Sequence, residues 1–158
     1  MLVYGIDLTQ QNQSFSFRMR EITKLFARAM NEHLKRFGVT TGQWYFLRAL
    51  WEREGVSQQY LSNRLGMSSA ATVFSINLLE RDKLAERLPD HTDKRRYCIY
   101  LTPRGKHLRE ELLPFAREVQ LRALDGFTDA EVRQLSEMLG RIKVNLEGII
   151  TEQGGEPE

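Results

Sequence analysis

The sequence predicts a mostly α-helical chain with a small β component (α+β), and three observations carry that prediction. Apolar residues recur at helical spacing in long stretches near both ends. Capping signals open several shorter helices between them. Two segments rich in Leu, Tyr and Ile, Leu84 to Leu88 and Tyr97 to Leu101, flank a polar turn and read as a hairpin.

After a short irregular start, Phe15, Ile22, Leu25, Phe26, Ala29, His33 and Phe37 place one long helix from about Asn12 to Phe37, which Gly38 stops. The next helix opens at Thr40, where Thr40 and Gln43 hold capping-box positions, and runs to about Arg53. Glu54-Gly55-Val56 is a turn, and Ser57 caps a short helix with Tyr60, Leu61 and Leu65 on its buried side. Gly66 ends it tightly. Ser68 caps a further helix to about Arg81, with Thr72, Ile76 and Leu79 as its inward stripe.

The hairpin follows, its tip running from Pro89 to Arg96 and too charged to be core. Thr102-Pro103 starts a helix to about Leu124, because proline at the first helical position sacrifices no helical hydrogen bond. Pro114 inside it is expected to kink it. The last helix begins after Asp125-Gly126 with a capping box, Thr128 and Glu131, and a Phe127 to Val132 staple. Val132, Leu135, Leu139, Ile142 and Leu146 form its apolar face.

Composition sets outer limits. The chain has 158 residues, 41% hydrophobic and 28% charged, with 11 Gly and 4 Pro, which excludes a disordered or collagen-like polymer. A chain this long buries roughly 70% of its unfolded surface, so neither metal nor disulfide is needed for stability. The lone cysteine, Cys98, forms no intramolecular disulfide. Without a signal-like start or an apolar run near the ~20 residues of a membrane span, the expectation is a soluble, cytoplasmic protein that uses no membrane.

The formal net charge of +2 is by itself weak evidence for a polyanionic partner. Its distribution says more: residues 1–56 carry +3, residues 57–106 carry +4 and residues 107–158 carry −5. A basic middle beside an acidic C-terminal third suggests one face built for a polyanion and another for something else.

A short helix, a tight turn, a second helix and a hairpin tipped by Lys94, Arg95 and Arg96 is the element order of a winged helix-turn-helix. Such a module lays its second helix in the major groove of double-stranded DNA, with the wing beside it. Ser68 and Ser69 offer small donors at a helix N-terminus, where a phosphate is attracted. The wing arginines can enter a narrow minor groove, where the negative potential is strongest.

At the wing, Asp93-x-Arg95, five residues, Leu101-Thr102, two residues, Gly105 resembles the signature of the MarR (multiple antibiotic resistance regulator) family of transcription factors. Thr40-x-x-Gln43-Trp44-x-x-Leu47, Leu79-Glu80, Leu84 and Arg87 extend the similarity over about residues 12–148. The resemblance implies a homodimer on a pseudo-palindromic operator. Residues 1–39 and 103–150 would form the helical dimerisation region, residues 40–102 the winged DNA-binding lobe and residues 151–158 a frayed tail. It also implies that Arg95 enters the minor groove with Asp93 holding its guanidinium, and that Arg96 contacts phosphate.

One departure concerns the recognition helix. Relatives present polar or basic side chains there, whereas this chain has Ala70, Val73 and Phe74, with Ser69, Thr72, Ser75 and Asn77 as polar company. Apolar groups can meet thymine methyls and Asn77 an adenine edge, while Phe74 is expected to pack internally. The DNA-reading set is therefore Ser68, Ser69, Ala70, Thr72, Val73, Asn77, Asp93, Lys94, Arg95 and Arg96. A second departure is Lys83, where glycine is common in the family, which implies mild strain if that backbone is left-handed.

Relatives bind small aromatic carboxylates or phenols near the second helix, so Trp44, Tyr45, Arg48 and Arg18 are candidates for an effector site, with Arg36 a further cation. Aromatic residues at these positions more often belong to a core than to a pocket. Cys98 has no resolving partner in the chain, which argues against redox sensing. His33, His91 and His107 are too scattered for a metal site, and no cofactor is expected. No nucleophile, base and orienter stand at a recognisable spacing and no Gly-rich phosphate loop is present, so an enzyme is not expected. The alternative to a regulator released by a small ligand is a protein-interaction module that keeps the fold and has lost DNA binding.

Overall fold

The helices begin where side chains can satisfy the orphan amides of a first turn. The structure, a computed structural model, describes residues 2–3, 6–7, 14–90 and 94–153. Two short strands, β1 (Leu2–Val3) and β2 (Ile6–Asp7), pair antiparallel where an irregular start was expected. Helix α1 (Phe15–Arg36) is capped by Ser14, which accepts from the Phe17 amide at 3.3 Å; the expected start at Asn12 lies outside the described residues.

In α2 (Thr41–Glu52) the capping box is complete: the Gln43 amide donates to Thr40 Oγ1 at 3.2 Å and the Thr40 amide to Gln43 Oε1 at 2.9 Å. Gln43 also donates to Asp82 Oδ2 at 2.6 Å. One side chain thus starts α2 and ties it to the end of a helix 39 residues away. Bonds from Arg81 and Gln43 hold the Asp82 carboxyl below the usual carboxylate range.

Strand β3 (Val56–Ser57) replaces the turn expected there, and Ser57 also caps α3 (Gln58–Leu65). A two-residue strand is too short to show an alternating pattern, and only its long-range pairing, Val56 with Ile99 and Ser57 with Cys98, defines it. Helix α4 (Ser69–Arg81) buries Thr72, Ile76 and Leu79 as expected. Strands β4 (Ala85–Pro89) and β5 (Tyr97–Leu101) form the hairpin, and the sheet order is β3-β5-β4, all antiparallel.

Helix α5 (Pro103–Ala123) continues through Pro114, which is exposed, and α6 (Asp129–Gln153) starts at the expected box, with the Glu131 amide donating to Thr128 Oγ1 at 3.3 Å. Residues 151–153 are helical, where a frayed tail was expected; residues 154–158 lie outside the described residues.

Chain contacts divide the molecule into two units, residues 1–119 and 120–158. The core of the first draws Leu34 from α1, Phe46, Leu47 and Leu50 from α2, Leu61 from α3, Ile76 and Leu79 from α4, Ile99 from β5 and Leu112 from α5. In the second unit none of the described residues of α6 is buried, and Met138, Leu139, Val144, Leu146, Ile149 and Ile150 are exposed.

Lys83 has φ 56°, the one described residue other than glycine in the left-handed region. Thr102 Oγ1 donates to its carbonyl at 2.6 Å, fixing the turn between α4 and β4. A left-handed L-residue costs about 1–2 kcal/mol, while glycine loses about 0.5–1 kcal/mol more chain entropy on folding. Lys83→Gly is therefore expected to raise stability by about 0.5 kcal/mol. A urea midpoint that moves up at constant slope would show it; a lower midpoint would refute it.

Candidate nucleic-acid interface

The turn between α3 and α4 is set by Gly66, whose φ of 62° ends α3 in the left-handed conformation that glycine adopts without steric cost. Ser62 donates to the Met67 carbonyl at 2.6 Å and locks the turn from inside. Ser68 then caps α4 by accepting from the Ala71 amide at 3.3 Å. Ser69, exposed, lies 3.4 Å from Gln58 Nε2, which donates to its hydroxyl. Both serines stand on the surface at a helix N-terminus.

Behind them the phase of α4 sorts its residues into two faces. Ala70, Phe74, Asn77 and Arg81, spaced four, three and four residues apart, are all exposed, and Val73 is half-buried beside them. Thr72 is different: it is fully buried and its hydroxyl donates to the Ser68 carbonyl at 2.9 Å. The expectation that Thr72 touches DNA is corrected accordingly, since helical phase turns it inward and its hydroxyl bonds its own helix. Phe74 is also corrected. It was expected to pack internally, yet 64% of it is exposed.

Asn77 is exposed, and its Oδ1 accepts from Arg87 Nη2 at 2.9 Å. Arg87 also pairs with Glu80, joining β4 to the end of α4. Sequence reasoning had no means of finding this ion pair or the Gln43–Asp82 bond, because neither spacing is periodic. From Ser57 to Leu79 the sequence holds no acidic residue, so α3, the turn and α4 as far as Leu79 carry no negative side chain.

The wing is the β4–β5 hairpin, with Leu88 opposite Cys98 and Pro89 opposite Tyr97. Beyond the strands the Asp90 amide donates to the Arg96 carbonyl at 2.8 Å. Lys94, Arg95 and Arg96 are exposed at the tip, whereas Asp93, expected to hold the Arg95 guanidinium, lies with His91 and Thr92 outside the described residues. Cys98 is buried and donates to Asp90 Oδ2 at 3.3 Å; burial, then this carboxylate, push its thiol up, which disfavours the reactive thiolate.

The expected effector residues divide. Trp44 is buried, edge-on to Trp51 with ring centroids 5.6 Å apart, and the Arg48 guanidinium lies 5.5 Å above the Trp44 ring. Tyr45 and Arg48 are exposed on α2, and Arg18 is exposed on α1. Trp44 thus serves the core. Among the described residues no cluster of three or more His, Cys, Asp or Glu is arranged to hold a metal, and no helix is long and apolar enough to cross a membrane.

The model of the MarR family matches residues 37–96, from the end of α1 through α2, α3 and α4 into the wing. YybA of Bacillus subtilis, an uncharacterised helix-turn-helix-type transcriptional regulator, is 29% identical over 133 residues, covering 82% of this chain and 88% of its own. The chain is thus similar to MarR-family regulators, through the family model over its winged lobe and through relatives that span most of its length. A MarR transcriptional regulator from Methanosarcina mazei Go1 superposes with a TM-score of 0.75 at 26% identity, over 85% of this chain and 99% of that one. A MarR-family regulator from Listeria monocytogenes, solved with a 26mer DNA, shares the fold with a TM-score of 0.81 at 21% identity, over 92% and 97% of the two chains. The winged-helix architecture of the MarR family is therefore the fold of this chain.

Proposed function

We propose that this chain is a homodimeric, sequence-specific DNA-binding regulator of the MarR family, a repressor that a small aromatic or phenolic ligand releases from a pseudo-palindromic operator. The observation that carries the reading is one lobe presenting both a helix-turn-helix without acidic residues from Ser57 to Leu79 and a wing tip with Lys94, Arg95 and Arg96 exposed. Helix α4 would lie in the major groove, with Ser68 and Ser69 toward a phosphate and Ala70, Val73 and Asn77 toward base edges. Arg95, steadied by Asp93, would enter the adjacent minor groove, while Lys94 and Arg96 meet the backbone.

Dimerisation is supported by apolar side chains that a single chain leaves in water: Phe15, Ile22, Leu25 and Phe26 on α1, and Met138, Leu146, Ile149 and Ile150 among those on α6. Residues 1–39 and 103–150 would supply that platform and residues 40–102 the DNA-binding lobe. Two-fold symmetry would set the recognition helices about 34 Å apart, or a multiple of it. Tyr45, Arg48 and Arg18, with the Trp44 ring beneath Arg48, are the proposed contacts for an anionic aromatic effector. Such a ligand acts only by binding the two lobe arrangements with different affinity.

The apolar outer face of α4 favours a second reading, a protein-interaction module on the same fold. Selection from random duplexes separates the two. A DNA reader enriches one recurring inverted repeat and binds it with two chains per duplex by light scattering. Enrichment of no sequence at moderate salt would remove the DNA reading.

A further inference from the structure

Phe74 is the most exposed large apolar side chain of residues 40–102, at 64%, and it sits at the centre of the outer face of α4. Leaving such a ring in water forfeits the favourable burial of a large apolar surface. One turn before it on that face is Ala70, which is small, and one turn after it is Asn77, whose oxygen is held by Arg87, so the ring is the large apolar group of the face. Of the polar groups on α4, Thr72 bonds the Ser68 carbonyl and the Asn77 oxygen accepts from Arg87, which leaves the Asn77 amide as a donor one turn beyond Phe74. What the helix offers outward at its middle is apolar.

The charge around the ring indicates what covers it. No acidic residue occurs between Ser57 and Leu79, Ser68 caps the helix end on one side, and the wing carries Lys94, Arg95 and Arg96. A surface with these surroundings suits a polyanion whose groove holds apolar groups. In duplex DNA the major groove offers one, the C5-methyl of thymine.

Resting on the DNA-binding reading above, we propose that Phe74 is a specificity-determining residue, selecting operators that place a thymine methyl against its ring in each half-site. The contact is hydrophobic, so it distinguishes thymine from uracil, which keeps every hydrogen-bonding group and lacks only the methyl.

The test uses the full-length protein and the duplex recovered by selection, with each thymine of the half-site replaced in turn by uracil. The wild type is expected to lose about fourfold in affinity at one thymine per half-site, the scale of one methyl withdrawn from apolar contact. In Phe74→Ala that penalty should vanish, and in Phe74→Leu, which keeps an apolar contact, it should persist in part. Because Phe74 packs outside the core, circular dichroism of both variants should match the wild type. Equal uracil penalties in wild type and Phe74→Ala, or none in the wild type, would overturn the assignment while leaving DNA binding intact. A wild-type protein that selects no duplex removes the DNA reading and this inference with it, and capture of a protein through Phe74 would then become the occupant of the face.

Discussion

Gly105→Ala is expected to cost about 3 kcal/mol of stability, a fall of about 10 °C in Tm for a chain this size. Gly105 lies in the first turn of α5, against Leu84 in the turn between α4 and β4. A Cβ built on it would fall inside the carbonyl oxygen of Leu84 and also press on Leu101 Cδ2 at 3.1 Å. Neither neighbour can yield freely. The Leu84 carbonyl already accepts from the Thr102 amide at 3.2 Å, and the Gly105 carbonyl accepts from Trp51 Nε1 at 2.8 Å. Alanine would recover about 1 kcal/mol in helix propensity, too little to offset moving backbone. Urea or thermal unfolding reads the result, and a variant within about 0.5 kcal/mol of wild type would show that α5 can slide away.

Arg95→Ala is expected to lower operator affinity about tenfold to a hundredfold, because the proposed work of this side chain is done in the minor groove. Arg96→Ala should weaken binding less and uniformly across sequences, reducing the slope of log affinity against log salt by about 1, as the loss of one phosphate contact requires. Fluorescence anisotropy at several salt concentrations separates the two. Wild-type affinity in Arg95→Ala would exclude that residue from the minor groove. The contrast matters for a chain with a net charge of only +2, since so small a total confines strong electrostatic contact to a few side chains on the lobe and wing.

The two substitutions touch the same run of sequence for different reasons. Within Leu101-Thr102-x-x-Gly105, Leu101 is buried, Thr102 accepts from the Gly105 amide at 3.1 Å and donates to the Lys83 carbonyl, and Gly105 lets α5 approach Leu84. The motif that carried the resemblance is thus partly a joint between helix and wing, and only its Asp93-x-Arg95 end is proposed to face DNA.

The elements with local signatures were legible from the residues. Both capping boxes, the Ser57 and Ser68 caps, the Gly66 turn, the inward stripe of α4 and the limits of β5 appear where caps, periodicity and alternation put them. Each follows from interactions within about four residues, which a single sequence contains in full. The basic wing tip was legible for the same reason, because a charged turn between two apolar segments has only solvent or a partner to face.

The tertiary structure alone decided what depends on residues far apart in the chain. Strand β3 exists because β5 offers it an edge, not because Val56-Ser57 has a strand signature. Gln43 reaches Asp82, and Arg87 reaches Glu80 and Asn77, at separations that no period encodes. Phe74 was expected to pack internally rather than to meet DNA. It is surface because Thr72, Ile76 and Leu79 fill the inner side of α4, and a helix 3.6 residues per turn cannot turn Phe74 inward with them. Sequence thus determined which segments are helix, turn and wing; packing determined which side of the recognition helix is left for a partner.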